Sequence, residues 1–293
     1  MKKVLVIGGT KYLGLEFIEL LQKKNMKLFV ASRKEIFVDN FIKIDRKNQN
    51  DLDNLFLSFE FDVVIDFINY SALDSKKLLK ALKLQKTIPK LILISTVYTY
   101  DIPLGLEQNS VFNENSFNPS EYKFSLFDRP KITYSEGKRN MESFCFQNYE
   151  KEKLIILRFP IILGANDYTQ RTHFYINLIK NNLKINPKHI HSKSNYIFSY
   201  EAAMSILNFV VNDYYGIYNV CFESISEFEL INKFCEYYNL DIELLLTTNI
   251  DSINTPFTSN FDFIINNKKY NSIFPFKSDF NDSLTRELSK IEI

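Results

Sequence analysis

The chain opens on Val4-Leu5-Val6-Ile7, an unbroken aliphatic run that stops at Gly8 and Gly9; from Leu13 to Leu21 apolar residues return every three or four positions. A short continuous apolar run reads as a strand covered on both faces, and the longer period as a helix with one buried side. The alternation repeats through the first half. Strands are predicted at 3–7, 27–31, 41–44, 62–67, 90–95 and 153–158, and helices at 12–24, 50–58, 73–85, 131–150 and 199–211. Right-handed crossovers between such strands build a doubly wound parallel sheet. From about residue 166 the alternation breaks into longer polar connections rich in Asn, Ser and Asp.

The expected fold is therefore α/β: a Rossmann-type doubly wound parallel sheet with a smaller C-terminal substrate lobe. Residues 1–165 form the core, with 196–220 returning to it, and 166–195 and 221–293 form the lobe. Ligands of such folds bind at the carboxyl edge of the sheet. The stretch Gly8-Gly9-Thr10-Lys11-Tyr12-Leu13-Gly14 lies at that edge, between the first strand and the first helix. A glycine turn there lets unpaired backbone N–H groups at a helix N-terminus face a pyrophosphate. A plain β–α turn needing positive φ is the competing reading. Lys11 has no glycine-like role, and its ammonium suits a cofactor phosphate.

The second strand ends in Ser32-Arg33-Lys34. NAD-binding folds usually place a carboxylate at this point for the ribose hydroxyls. A hydroxyl and two cations instead favour a ribose 2′-phosphate, hence NADP over NAD. Asp45-Arg46 follows the third strand, where a carboxylate can accept a bond from an adenine amino group.

Tyr134 and Lys138 stand one helical turn apart near the start of the helix predicted at 131–150, so both face one side. A phenol ionises at about pH 10, and a neighbouring ammonium lowers that value toward use as an acid or base. The spacing alone is a weak signal. With 17 tyrosines, about two Tyr-x-x-x-Lys matches arise by chance. The second match, Tyr149–Lys153, falls where the helix runs into the next strand, on the side facing away from a cofactor. Strand 90–95 leads into Ser95-Thr96-Val97-Tyr98-Thr99-Tyr100, where a hydroxyl can bond a substrate oxygen beside Tyr134.

Composition narrows the function classes. A net charge of +1 without a basic block argues against a nucleic-acid partner. No apolar run approaches membrane-spanning length, and Met1-Lys2-Lys3 enters the first strand directly, leaving no room for a signal peptide. Cys145, Cys221 and Cys235 are odd in number and lack metal-ligand spacing, and the 3 histidines are scattered. No metal site and a reduced, cytoplasmic setting are expected.

Several motifs now stand in order: Gly8-Gly9-Thr10-x-x-Leu13-Gly14, Asp45-Arg46, Asp62-Val63-Val64-Ile65-Asp66, Ile94-Ser95-Thr96, Tyr134-Ser135-Glu136-Gly137-Lys138 and Leu157-Arg158-Phe159-Pro160-x-x-x-Gly164. Together they resemble the extended short-chain dehydrogenase/reductases, the NAD(P)-dependent epimerase/dehydratase family, in its Gly-Gly-Thr-x-x-Leu-Gly branch. The resemblance covers nearly the whole chain. It implies an oxidoreductase, epimerase or dehydratase that moves a hydride to or from a sugar-type substrate, such as a nucleotide sugar. It implies Tyr134 as acid/base, Lys138 as its partner and as a cofactor ligand, and Thr96 as the catalytic hydroxyl. Gly8, Thr10, Lys11, Tyr12, Leu13 and Gly14 would surround the pyrophosphate, Ser32 and Arg33 the adenosine ribose, and Asp45 and Arg46 the adenine. Phe67, Ile68, Ser95, Phe159 and Ile162 would lie along the rest of the cofactor, and Tyr98 and Arg171 toward the substrate. The family pattern is compatible with a homodimer. Two departures weigh against a nucleotide sugar: Ile161 stands where such epimerases often carry Asn, and the expected lobe is poor in arginine. The alternative class is a non-catalytic NAD(P)- or RNA-binding member of the same fold.

Overall fold

A computed structural model of the chain describes residues 1–100, 111–127, 131–248, 252–257 and 259–291. The nucleotide-binding half runs β1 (Lys3–Ile7), α1 (Leu13–Gln22), β2 (Lys27–Ser32), β3 (Phe41–Lys43), α2 (Gln49–Ser58), β4 (Val63–Asp66), α3 (Ala72–Leu82) and β5 (Lys90–Thr96). After the short β6 (Val111–Phe112) come α4 (Tyr134–Asn148), β7 (Leu154–Phe159), β8 (Ile161–Leu163) and α5 (Arg171–Lys180). The remainder is β9 (Lys193–Ser194), β10 (Tyr196–Phe198), α6 (Ser199–Val211), β11 (Gly216–Asn219), β12 (Ile225–Ser226), α7 (Glu227–Tyr237), β13 (Ile264–Ile265), α8 (Lys268–Asn271) and α9 (Phe280–Ser289).

Seven strands form one parallel sheet in the order β11-β7-β5-β4-β1-β2-β3. The order turns back between β1 and β4, and that crevice is where ligands of open α/β sheets bind. Alternate residues of each strand feed two separate cores. Val4, Val6, Val30, Ile65, Ile92 and Leu157 pack with Phe17 and Leu21 of α1 and Ala202 and Ile206 of α6. Leu5, Ile7, Phe29, Val64, Leu93 and Ile156 pack with Leu55 of α2, Leu78 of α3 and Met141 of α4. Both faces are dry, which is why these strands read as continuous apolar runs.

The expected long polar connections contain regular elements. Residues 166–195 include α5, which buries Thr172, Tyr175, Ile176, Leu178 and Ile179; α7 buries Leu230, Ile231 and Phe234. Small pairings (β8 with β10, β9 with β12, β6 with β13) tie these segments together. Their core is continuous with the α1–α6 side of the sheet, where Leu230 and Phe234 join Val4 and Phe17. Residues 249–251, 258, 292 and 293 of the expected lobe lie outside the described residues. Among the described residues, no helix is long and apolar enough to cross a membrane.

Candidate active site

The turn after β1 is built on glycine for a steric reason. Gly8 and Gly9 have φ of 76° and 69°, and a Cβ on Gly14 would stand 2.2 Å from the Gly9 Cα. Strand end and helix start can approach this closely only without side chains. Tyr12, the N-cap of α1, also has positive φ (47°). Its enclosed hydroxyl has no hydrogen-bond partner, and burial, with Asp167 and Glu287 nearby, pushes the phenol well above its usual range.

This turn floors a cleft of about 380 Å³. The structure brings Gly8, Thr10, Lys11, Ser32, Arg33, Asp45, Arg46 and Ile68 together along its wall. Five cations line it: Lys11, Arg33, Lys34, Arg46 and Lys47. The Ser32 hydroxyl donates to the Lys34 carbonyl, which closes the basic turn after β2. Arg46 sits differently from a free adenine contact. Its guanidinium is 5% exposed and paired with Asp66 at 2.5 Å and Asp74 at 2.8 Å. Burial opposes that cation, but the two carboxylates keep it charged; Nε is left without a hydrogen-bond partner. The Asp45 carboxylate accepts the N–H of Lys47 at 2.9 Å.

Tyr134 is the first residue of α4, whose N-cap Thr133 accepts the N–H of Glu136. It is 39% exposed, whereas Lys138 one turn later is 2% exposed. The Lys138 ammonium donates to the carbonyls of Ile94 at 2.6 Å and Asn69 at 2.8 Å. It lies 4.6 Å from the ring centre of Tyr70 and 5.9 Å from that of Tyr134. Burial drives its pKa down to about 8 against the pull of Asp66, Glu142 and Asp74. Tyr70 is the bridge to the cleft: it lines the cleft wall, and its ring centre is 6.3 Å from that of Tyr134. Thr96 closes β5, in register opposite Phe159, and its Oγ1 accepts the N–H of Tyr98 at 3.3 Å. The rival pair separates as expected from its position: Tyr149 donates to the Pro89 carbonyl at 2.7 Å, before β5 begins.

Other expected site residues are placed apart from the cleft wall. The Ser95 hydroxyl donates to Glu142 rather than lying free for a cofactor. Glu142 in turn is gripped by Arg158 at 2.6 Å, both fully buried, and Arg158 reaches the Tyr100 hydroxyl at 2.7 Å. The side chains of Leu13 and Phe159 belong to the core, Phe67 packs on Phe17, and Ile162 packs half-buried beside it. Tyr98 stacks on Phe263 at 6.0 Å. The backbone of Arg171 is capped by Asp167 at the start of α5. Sequence reasoning missed Tyr70, Lys47 and Tyr168 as cleft residues, and Glu142 as a buried partner. Only Glu142 carried a signal, one turn beyond Lys138 on the same face.

Comparison with known proteins agrees with this fold. The family model of the RmlD substrate binding domain matches residues 1–187. The chain belongs to that family, within the extended short-chain dehydrogenase/reductases. No curated protein matches it in sequence. Solved structures share the fold at low identity. A dTDP-glucose 4,6-dehydratase from Bacillus anthracis in complex with NAD superposes with a TM-score of 0.75 at 15% identity, over 100% of this chain and 97% of that one. The UDP-glucose 4-epimerase of Thermotoga maritima with UDP-glucose gives 0.73 at 12%, over 99% and 98%. A dTDP-4-dehydrorhamnose reductase from Clostridium acetobutylicum gives 0.69 at 16%, over 99% and 100%.

Proposed function

We propose that this chain is an NAD(P)-dependent enzyme acting on a hydroxyl or carbonyl of a sugar-type substrate, with NADP its preferred cofactor and a nucleotide sugar as the first substrate class to examine. The observation that carries the reading is the fully buried Lys138 ammonium, held by two carbonyls beside the half-exposed phenol of Tyr134. A buried cation is expensive to keep, and a structural role would be served as well by an apolar side chain. Its position beside a phenol suits proton transfer.

The cleft suits a dinucleotide. Its floor is a turn too tight for any side chain at Gly14, and its rim carries the cations that phosphates require. Gly8, Thr10 and Lys11 would hold the pyrophosphate, Arg33 and Lys34 a ribose 2′-phosphate, and Asp45 the adenine, with Arg46 committed to Asp66 and Asp74 in the cleft wall. The nicotinamide, when bound, accepts or supplies the hydride. Tyr134 takes or returns the proton of the substrate oxygen, and Thr96 orients that oxygen. Lys138 stabilises the phenolate, and two of its three N–H groups are already committed, leaving one for a ribose hydroxyl. Arg171 and Tyr98 remain the substrate-side candidates.

Thermal denaturation with NADPH, NADH and a panel of sugar nucleotides tests the reading. A cofactor that binds only the folded chain raises its melting temperature. NADPH should raise it more than NADH, and a sugar nucleotide should add to the rise. No shift with either dinucleotide would remove the reading.

A further inference from the structure

We propose that Tyr168 is a positioning residue that holds Lys11 over the phosphate end of the cleft and sets how long a dinucleotide stays bound; this builds on the cofactor reading above. Tyr168 comes from the loop between β8 and α5, outside the strands that build the cleft floor, yet it lines the cleft with Gly8, Thr10 and Lys11. The Lys11 ammonium lies 5.3 Å from its ring centre. Among the described residues the Lys11 ammonium has no hydrogen bond or ion pair, so the ring is what orients it and all three of its N–H groups remain available to a phosphate. Tyr12 meets the Tyr168 ring edge-on at 6.3 Å and 89°.

The loop that carries the ring is anchored on both sides. Asp167, 1% exposed, accepts the N–H and hydroxyl of Thr169 and the N–H of Arg171. Thr172 accepts the N–H of Gly164 at 2.9 Å, fixing the start of the loop. Tyr168 itself is 64% exposed, so core packing does not account for its place. A solvated lysine loses its rotamer freedom when it grips a phosphate. A ring that already holds the ammonium removes part of that loss, and the gain appears as slower release.

The test is NADPH release from the full chain, followed by nicotinamide emission in a protein with 0 tryptophans. Tyr168→Ala should weaken binding about fivefold, mostly through faster release, the size of one exposed cation–π contact. Tyr168→Phe should restore wild-type release, because the ring and not the hydroxyl holds the ammonium. In a Lys11→Met background, Tyr168→Ala should add nothing. Wild-type release from Tyr168→Ala, fast release from Tyr168→Phe, or an undiminished loss in the Lys11→Met background would each overturn the proposal. Failure of the wild-type chain to bind NADPH or NADH would instead remove the cofactor reading itself.

Discussion

Lys138 faces Tyr134 at 5.9 Å from ammonium to ring centre, on a side chain held by the backbone of Asn69, in the loop after β4, and of Ile94 in β5. Burial lowers the Lys138 pKa from 10.5 to about 8. Between those values the unfolded chain binds more protons at this position than the folded chain does. The Lys138 contribution to stability therefore rises with pH across the window, after being depressed below pH 8. Relative to a Lys138→Met variant, wild-type unfolding free energy should climb by up to about 3 kcal/mol between pH 8 and 10.5. Urea unfolding of both proteins at several pH values measures it. A difference that stays flat would contradict the burial assigned to this ammonium.

Beneath the site, Glu142 neutralises Arg158 in a fully dry setting. Glu142→Ala leaves the guanidinium buried without its partner and should destabilise the fold by about 3–5 kcal/mol. The Ser95 hydroxyl loses its acceptor as well. Chemical unfolding gives the value, and a loss below about 1 kcal/mol, the range of exposed pairs, would show that water enters this network.

At the adenosine end, the cations after β2 make a prediction about cofactor choice. Replacing Arg33 and Lys34 by Ser should weaken NADPH about tenfold or more through lost charge-assisted contacts, and leave NADH nearly unchanged. Titration of both cofactors against both proteins reads the ratio. Equal losses for the two dinucleotides would move the 2′-phosphate contact elsewhere.

The glycine turn is less tolerant than any cation. A Cβ at Gly14 would meet the backbone of Gly9 at 2.2 Å, and backbone has no rotamer by which to retreat. Gly14→Ala should cost about 3 kcal/mol or more, as overpacking at its severe end does, and should abolish the NADPH-induced melting shift. An alanine variant that melts and binds as wild type would show that strand and helix separate easily here.

How far the sequence was legible follows from where its signals come from. The sheet half was readable because strands dry on both faces announce themselves as Val63-Val64-Ile65 and Leu91-Ile92-Leu93-Ile94. The glycine turn and the Tyr134–Lys138 pair could be placed because their positions after β1 and at the start of the helix following β5, and not spacing alone, put them on one edge of the sheet. Short strands such as β8, β10 and β11 were missed, since three or four residues carry no period. α5 was missed because it is only ten residues long and a polar residue, Thr172, stands among its buried positions. Ser95 was placed along the cofactor by the resemblance, and sequence alone does not say which of the adjacent Ser95 and Thr96 faces the buried Glu142. Tyr70 and Tyr168 reach the cleft from loops, where tertiary contacts decide and sequence spacing is silent.

The central claim is that Tyr134 handles the proton of the substrate oxygen while the rest of the site binds and orients. Tyr134→Phe removes one hydroxyl from a half-exposed ring and leaves the cleft wall intact. On the substrate that the melting screen identifies, turnover of this variant should fall by about a thousandfold, within the range of general acid–base catalysis, while NADPH affinity stays within about twofold. Turnover at the wild-type rate, with the cofactor bound as tightly as before, would contradict it.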